Sequence, residues 1–171
     1  MICPGCGFTN IAGADECEDC GHALSSFDIE PSAVSGGFSA AQTPLREVPA
    51  PATIMVPPAT PLSEVVDRLI SATASCVLVV SGGRLVGIFS ERDLLCRVGA
   101  SYPALRTRPI SDFMTPEPES LNSDATVAWA LNRMNVGGFR HIPVVDNSVP
   151  VRVLAVRDLL GFLANEYCAR A

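Results

Sequence analysis

The sequence predicts an α+β protein in which one β-α-β-β-α unit occurs twice, behind a small cysteine-rich arm. Residues 46–98 align without a gap on residues 111–163, and nine of the 53 pairs are identical, where chance would give about three. Within each copy, apolar residues change from helical to strand-like spacing in the same order. Four of the seven cysteines lie in the first 20 residues. The repeat predicts two packed copies of about 50 residues each.

Composition and charge limit the classes of partner. Hydrophobic residues make up 48% of the 171 residues, which is typical of a packed domain. Residues 1–45 carry six acidic and no basic residues, whereas residues 46–171 carry twelve of each, so the net charge of −6 lies in the arm. An arm without cations cannot neutralise nucleic-acid phosphates, so we expect a protein partner and no nucleic acid. We see no bilayer-spanning apolar run and no secretory signal, and we expect a cytoplasmic protein without a membrane partner.

The cysteine spacing predicts a structural zinc site. Cys3-x-x-Cys6 and Cys17-x-x-Cys20 form two short turns separated by ten residues, and two facing turns complete a tetrahedral set of four thiolates. A disulfide framework, a redox dithiol at the first pair, and His22 as a substitute ligand are the alternatives. The arm has few apolar residues, so bound metal would supply its folding energy.

Residues 1–24 also resemble the short zinc-ribbon family. The resemblance covers Cys-Pro-Gly-Cys-Gly at residues 3–7 and Cys-x-x-Cys-Gly-His-Ala-Leu at residues 17–24, and it implies a closed zinc site without metal catalysis. Residues 25–45 are rich in Gly, Ser, Ala and Pro, which predicts a flexible linker that tethers the ribbon without packing it on the repeats. We expect the other three cysteines to be small buried residues (Cys76, Cys96 and Cys168).

Each repeat should contain two helices and a hairpin. Pro61 indicates the first turn of a helix with Thr60 as its cap. The apolar spacing i, i+3, i+4, i+7 supports a first helix in each copy, at Leu62, Val65, Val66 and Leu69 and at Val127, Ala130, Leu131 and Met134. Hairpin strands are predicted at 76–80 and 84–89 and at 141–145 and 151–154, second helices at 91–98 and 156–164, and short extended pieces near 54–56 and 119–122.

Residues 46–100 and 110–167 resemble a tandem pair of CBS (cystathionine β-synthase) domains, also called a Bateman module. The matching segments are Gly-Ile-Phe-Ser-Glu-Arg-Asp at 87–93, Ile-Ser-Asp-Phe-Met-Thr at 110–115 and Gly-Phe-Arg-His-Ile-Pro-Val-Val-Asp at 138–146. The resemblance implies a pseudo-two-fold pair of repeats that binds AMP, ADP, ATP or S-adenosylmethionine between them, regulates a partner, and forms a homodimer.

The resemblance also implies which residues bind the ligand. Asp93 would bind ribose hydroxyls, and Ser90 would donate to phosphate at a helix N-terminus. Asp158 is the matching ribose candidate in the second repeat. The remaining candidates are two residues placed for phosphate contacts and one that reaches the cleft (Arg140, His141 and Thr60).

A purely structural interpretation competes at each position. Ser90 and Asp93 also form the sequence pattern of a capping box. In the second repeat Ala155 replaces the capping serine, so the sequence predicts that a reciprocal cap does not explain Asp158. Arg152 stands where the first repeat has Gly87, which makes a second ligand site less favourable. Arg140 and His141 could be solvated residues at a strand edge.

Two functions follow from the sequence. The first is a regulatory module for an adenosyl ligand, with the zinc ribbon as a tethered docking element for a protein. The second is a ligand-free scaffold that dimerises and recruits a partner. We do not expect an enzyme, because the sequence shows two histidines, no activated nucleophile pair and no Walker-type phosphate loop.

Overall fold

A computed structural model describes residues 3, 6–11, 14, 16–21 and 40–168. The chain divides into two compact units, one formed by residues 50–120 and 141–153 and the other by residues 1–49, 121–140 and 154–171. Most of the predicted linker, and His22, lie outside the described residues. Among the residues that the structure describes, no helix combines the length and apolar character needed to cross a membrane.

The first repeat has the predicted order of elements. Strand β1 (Met55–Val56) is followed by helix α1 (Leu62–Ser71) and by the hairpin strands β2 (Cys76–Ser81) and β3 (Arg84–Ser90). Strand β4 (Thr115–Pro116) completes a four-stranded sheet in the order β1-β2-β3-β4. The β1–β2 pair is parallel and the other two pairs are antiparallel. Helix α1 therefore crosses between two adjacent parallel strands, as in a βαβ unit.

The second helix of the first repeat is not one regular helix. A single α-helical turn, α2 (Glu91–Asp93), continues into a π-helical segment (Leu94–Val98) and a 3-10 turn (Gly99–Ser101) before the short helix α3 (Tyr102–Leu105). The sequence predicted one helix over 91–98. A π-helical segment accommodates an extra residue per turn and is common beside functional sites.

The second repeat has the same order. Strand β5 (Leu121–Asn122) precedes helix α4 (Val127–Gly137), the hairpin strands β6 (His141–Asp146) and β7 (Val149–Ala155), and helix α5 (Val156–Cys168). Its sheet has the order β5-β6-β7. The prediction of an α+β chain with the β-α-β-β-α order repeated twice is confirmed.

The two hairpins use the same turn with different residues. Gly82 and Gly83 both have positive φ angles, of 57° and 77°, and so do Asn147 and Ser148, with 50° and 67°. Two consecutive left-handed residues form the turn type that matches the twist of hairpin strands. The gap-free 65-residue offset therefore reflects a turn of equal length in both copies.

The start of α1 differs from the prediction. The residue at the N-cap position is Pro61, with an extended ψ of 142°, and no side chain caps the helix. Thr60 is therefore one residue too early to act as the cap, and it is buried. In the second repeat, Thr126 does cap α4, because its hydroxyl accepts the N–H of Trp129 at 3.2 Å.

Apolar side chains are buried in both units. In the first unit the predicted inner face of α1 packs with residues of the sheet and of the segment before β4 (Leu62, Val65, Leu69, Val77, Phe89 and Ile110). On α4, Val127, Ala130 and Met134 are buried as predicted. Of the three cysteines expected to be buried, Cys76 is buried, but Cys96 and Cys168 are exposed, because they lie on the outer sides of their helical segments.

The described end of the predicted linker is packed. Leu45 is fully buried, and its N–H donates to the carbonyl of Ala125 at 2.8 Å. The N–H of Val127 donates to the carbonyl of Thr43 at 3.0 Å. Residues 40–45 therefore depart from the flexible linker that their composition predicted, because backbone pairing and one buried leucine hold them at the start of α4.

Gly87 in β3 has a steric role. A Cβ atom at this position would overlap the side chain of Met114, which lies against the strand. The glycine of the predicted ligand-binding signature therefore also leaves room for the Met114 side chain against β3.

Candidate metal centre and ligand-binding junctions

The four arm cysteines meet at one point. Their sulfur atoms all lie within 4.8 Å of one another. Two of the separations are 3.7 Å, between Cys3 and Cys20, and 3.6 Å, between Cys6 and Cys17. These separations are too long for disulfide bonds. They match a tetrahedral zinc site, in which sulfurs about 2.3 Å from the metal lie about 3.8 Å apart. The donor set therefore fits zinc.

Both cysteine turns are built in the same way. The N–H of Gly7 donates to the carbonyl of Cys3 at 2.9 Å, and the N–H of Gly21 donates to the carbonyl of Cys17 at 2.8 Å. Both glycines have positive φ angles, of 78° and 68°. This backbone conformation favours glycine, and it turns each pair of cysteines toward the other pair.

Asn10 joins the two cysteine turns, although the sequence analysis assigned it no role. It is buried, and its amide nitrogen donates to the Cys17 sulfur at 3.4 Å and to the Phe8 carbonyl at 3.2 Å. Its side-chain oxygen accepts the N–H of Glu18 at 2.9 Å. These hydrogen bonds orient the second turn and place a donor at one of the four clustered sulfurs.

The surroundings of two sulfurs shift their acidity in opposite directions. Burial raises the pKa of the Cys17 thiol, but hydrogen bonds from the Asn10 side chain and from backbone groups of Cys20 and Asp19 outweigh it and lower the pKa to about 6. Burial raises the pKa of the Cys6 thiol. Cys17 thus has the thiolate character that metal binding requires.

The arm packs on the second repeat. Trp129 of α4 lies against the cluster formed by Cys3, Cys17 and Cys20. The guanidinium of Arg133 lies over the Trp129 ring, 5.3 Å from its centroid. This contact differs from the expectation of a ribbon that is tethered without packing. Trp129 was not predicted to take part, because it lies outside the apolar positions expected on α4.

The junction between the hairpin and the second helix is the same in both repeats. In the first repeat, the N–H of Glu91 donates to the carbonyl of Ser75 at 3.0 Å. In the second, the N–H of Val156 donates to the carbonyl of Arg140 at 2.9 Å. Each of these residues has its counterpart 65 positions along the chain. The first residue of each second helix is therefore tied to the residue that precedes the first hairpin strand.

Ser90 and Asp93 form a capping box at the first junction. The N–H of Ser90 donates to Asp93 Oδ2 at 2.9 Å, and the Ser90 hydroxyl donates to the same oxygen at 2.7 Å. The N–H of Asp93 donates to the Ser90 hydroxyl at 3.4 Å. Ser90 and Asp93 therefore form the helix cap that the structural interpretation predicted. The cap places both predicted ligand-binding residues at this one junction.

The other carboxylate oxygen of Asp93 has longer contacts. Arg97 Nε lies 3.3 Å from Asp93 Oδ1, and the Thr115 hydroxyl donates to the same oxygen at 3.4 Å. Arg97 also donates to the carbonyls of Phe113 and Met114 at 3.0 Å and 2.8 Å. Arg97 was not among the predicted site residues, although its spacing of four residues from Asp93 is a detectable signal.

Asp158 also caps its junction. Its carboxylate accepts the N–H of Ala155 at 2.7 Å. The cap is one-sided and not reciprocal, because Ala155 has no hydroxyl to accept the N–H of Asp158; the donor is the backbone N–H of the alanine, which needs no side chain. Asp158 and Asp93 therefore make the same backbone bond in the two repeats.

The remaining candidates have separate surroundings. His141 Nε2 and the Ser75 hydroxyl lie 2.7 Å apart, so His141 is more than a solvated residue at a strand edge. Both residues belong to the unit that contains Ser90 and Asp93. Arg140 is exposed, and its carbonyl takes part in the second junction. Thr60 is held by its backbone carbonyl, which accepts the N–H of Ile110 at 2.8 Å.

Two repeats with a shared strand–helix junction define a tandem-repeat module with capping carboxylates at equivalent positions. The family model for the CBS domain matches residues 45–99 and 110–165. The chain belongs to the CBS domain family and carries a tandem CBS pair.

Known relatives and solved structures cover this pair. The CBS domain-containing protein CBSCBSPB5 of Arabidopsis thaliana is 33% identical over 108 residues, which are 63% of this chain and 20% of that protein. The chain thus spans about a fifth of the length of the first curated relatives it matches. The CBS domain protein PAE2072 from Pyrobaculum aerophilum, complexed with AMP, has a TM-score of 0.62 at 25% identity, covering 72% of this chain and 99% of that one. The CBS pair of protein MJ0100, in complex with 5-methylthioadenosine and S-adenosylmethionine, has a TM-score of 0.63 at 21% identity, covering 72% and 98%.

The capping role of Asp158 predicts a stability effect. Asp158→Ala should lower the free energy of unfolding by about 1 kcal/mol, because the N–H of Ala155 loses its partner. Asp67→Ala is the matched control, since Asp67 is an exposed aspartate within α1 and should change stability by less than about 0.5 kcal/mol. Urea unfolding at pH 7 measures both. Equal unfolding midpoints for the two variants would contradict the assignment.

Proposed function

We propose that this chain is a regulatory module that binds an adenine nucleotide or S-adenosylmethionine at the Asp93 junction and signals to a partner protein. The observation that carries the proposal is the Asp93 carboxylate at the start of α2, with Ser90 beside it. The solved structures of similar CBS pairs with AMP and with S-adenosylmethionine support this class of ligand.

The contacts of Asp93 suggest how ribose would bind. Oδ2 accepts two short hydrogen bonds from Ser90, at 2.7 and 2.9 Å, and these hold the helix start. Oδ1 has only long contacts with Arg97 and Thr115, at 3.3 and 3.4 Å. A ribose hydroxyl would replace the long contacts on Oδ1 and leave the cap on Oδ2 intact. Binding would then release Arg97 from Asp93 without breaking the junction.

Phosphate or carboxylate groups of the ligand would use different residues. To donate to an anion, the Ser90 hydroxyl would turn its single hydrogen away from Asp93 Oδ2, which would keep the N–H of Ser90. The His141 ring can supply an N–H donor. We assign Arg140, Asp158 and Thr60 supporting roles as further candidates, with Asp158 belonging to a possible second site. In that site Arg152 would stand where the first repeat has Gly87, so we propose one principal site, in the first repeat.

We further propose that the four-cysteine cluster holds a structural zinc ion. Cys3, Cys6, Cys17 and Cys20 would supply all four ligands, and the bound metal would supply folding energy to the arm. A closed set of four thiolates leaves no position for a substrate. Together with the regulatory character of CBS pairs, this supports a chain that is not itself an enzyme and that acts through a protein partner.

A second candidate function is a ligand-free scaffold, which the complete capping box favours because it satisfies Asp93 without a ligand. Both functions are compatible with a homodimer. Leu95 and Leu160 occupy equivalent positions in the two repeats and are 75% and 54% exposed, which is unusual for leucine and suits an apolar contact with a second copy.

Light scattering at micromolar concentration tests the dimer. We expect twice the mass of one chain, and we expect Leu95→Glu with Leu160→Glu to reduce it to the mass of one chain. The matched control places the same charge at exposed Ser71 of α1, where it should leave the mass unchanged. A monomeric wild-type chain would rule the homodimer out.

Calorimetric titration with AMP, ADP, ATP and S-adenosylmethionine tests the proposed ligand site. Asp93→Ala should weaken binding of the preferred ligand by roughly ten- to a hundred-fold, since a hydrogen bond to a charged group is worth about 1.5–3 kcal/mol. Asp158→Ala removes the same capping bond from the second repeat and should leave the affinity of the principal site unchanged.

Each result of that titration has a distinct meaning. Equal losses in the two variants would contradict a single principal site and indicate that both repeats bind. The absence of heat with all four ligands, at a temperature where the protein is folded, would favour the ligand-free scaffold.

Metal analysis of the purified chain tests the zinc site. We expect about one zinc per chain, and we expect Cys17→Ser with Cys20→Ser to abolish it, since one tetrahedral site needs all four thiolates. Cys96→Ser with Cys168→Ser is the matched control, because both of these cysteines are exposed and lie outside the cluster. Stoichiometric zinc in the Cys17/Cys20 variant would disprove the site.

A further inference from the structure

The contact between the arm and α4 rests on a side chain that only the second repeat has. Trp129 is the single tryptophan of the chain, and it is partly buried against the four-cysteine cluster. Its counterpart in the first repeat, 65 residues earlier, is Glu64. The two repeats therefore differ at this helix position by an exchange of an acidic residue for a large aromatic one.

The next turn of each helix explains what the exchange does. Arg68 in α1 and Arg133 in α4 are identical residues at equivalent positions. Arg68 forms an exposed ion pair with Glu64 at 2.6 Å, whereas Arg133 lies over the ring of Trp129. In the first repeat this helix surface is an ordinary solvated ion pair. In the second repeat the tryptophan, with the arginine over its ring, forms an aromatic platform, and the cysteine cluster packs on the tryptophan.

The chain between the arm and the repeats is fixed at the same end of α4. Arg46 forms an ion pair with Asp124, and the N–H of Arg46 donates to the carbonyl of Ser123 at 3.0 Å. Pro44 pairs with Thr126 in an antiparallel bridge. The segment that leads into the first repeat is thus held beside the N-terminus of α4. This anchor lowers the entropy cost of bringing the arm onto Trp129.

The charge of a loaded cluster suits the platform. Four thiolates around one divalent cation carry a formal charge of about −2. The Arg133 guanidinium on the Trp129 ring supplies a positive charge near that cluster. Without metal, the arm lacks the apolar residues to keep its two cysteine turns together, so the surface that packs on Trp129 would be lost.

We propose that metal loading of the four-cysteine cluster docks the arm onto the Trp129 platform of α4. The arm is then a metal-dependent cover on the second repeat, whereas in the described part of the chain the equivalent surface of α1 carries the exposed Glu64–Arg68 ion pair. This inference rests on the proposed zinc site and goes beyond it, because a zinc-loaded arm could equally be free of α4.

Trp129 reports on docking directly, because it is the only tryptophan. The full chain should be compared with zinc bound, after removal of zinc by a chelator, and with cobalt in place of zinc. Docking predicts that zinc shifts the Trp129 emission to shorter wavelength and protects it from acrylamide. It also predicts that cobalt quenches the emission, because the thiolate-to-cobalt absorption overlaps it at short range. The Cys17→Ser, Cys20→Ser variant should give the metal-free spectrum in every condition.

A second variant separates docking from metal binding. Trp129→Glu recreates the Glu64–Arg68 pair of the first repeat on α4, so the helix should stay intact while the platform is lost. We expect this variant to bind about one zinc per chain, with affinity weakened about ten-fold by the loss of about 1.4 kcal/mol of docking. Its zinc-loaded arm should be cleaved by protease faster than the wild-type arm. Glu64→Gln is the matched control in the first repeat and should change neither property.

Metal content is measured in the same samples, so the possible failures can be told apart. A chain that binds no metal would overturn both the zinc site and the docking. A chain that binds zinc and cobalt stoichiometrically, with Trp129 emission identical in all forms, would overturn the docking alone. Unchanged zinc affinity and unchanged arm cleavage in Trp129→Glu would also overturn it.

Discussion

A carboxylate three residues beyond the last strand residue holds the strand–helix junction of each repeat. Asp93 accepts the N–H of Ser90 at 2.9 Å, and Asp158 accepts the N–H of Ala155 at 2.7 Å. In both repeats the next N–H reaches back to the residue before the first hairpin strand. In each repeat these two hydrogen bonds join the last strand of the hairpin, the start of the second helix and the residue before the first hairpin strand. In the first repeat, Asp93 Oδ1 has only long contacts, with Arg97 and Thr115. Asp93 can therefore cap the helix through Oδ2 and bind a ligand through Oδ1, and the proposed function rests on these two roles.

The sequence predicted the repeated parts of this architecture well, for physical reasons. A hairpin with a two-residue turn and a helix with one apolar face leave short-range patterns, and a gap-free duplication shows each pattern twice. The four cysteines were equally predictable, because zinc coordination needs few residues at fixed spacing. The prediction of a cap at Ser90 and Asp93 also holds, since a capping box is a local motif.

Features that depend on the backbone or on distant contacts were missed. The cap at Asp158 uses an alanine N–H, which leaves no trace in the side-chain pattern. The π-helical segment at Leu94–Val98 has the apolar composition of an α-helix, and it exposes Cys96, which the prediction had buried. Residues 40–45 have the composition of a linker but pair with the start of α4. The contact with Trp129 becomes visible only when the two repeats are compared position by position and the cysteine cluster is placed beside one of them.

The most direct test of the account is a crystal structure of the chain with the nucleotide that binds most tightly. We predict ribose hydroxyls within hydrogen-bonding distance of Asp93 Oδ1, with the N–H of Ser90 still bound to Oδ2 and Arg97 displaced from the carboxylate. A nucleotide bound elsewhere, with the Asp93–Arg97 and Asp93–Thr115 contacts unchanged, would contradict it. In that case Asp93 would serve only as the cap of its helix.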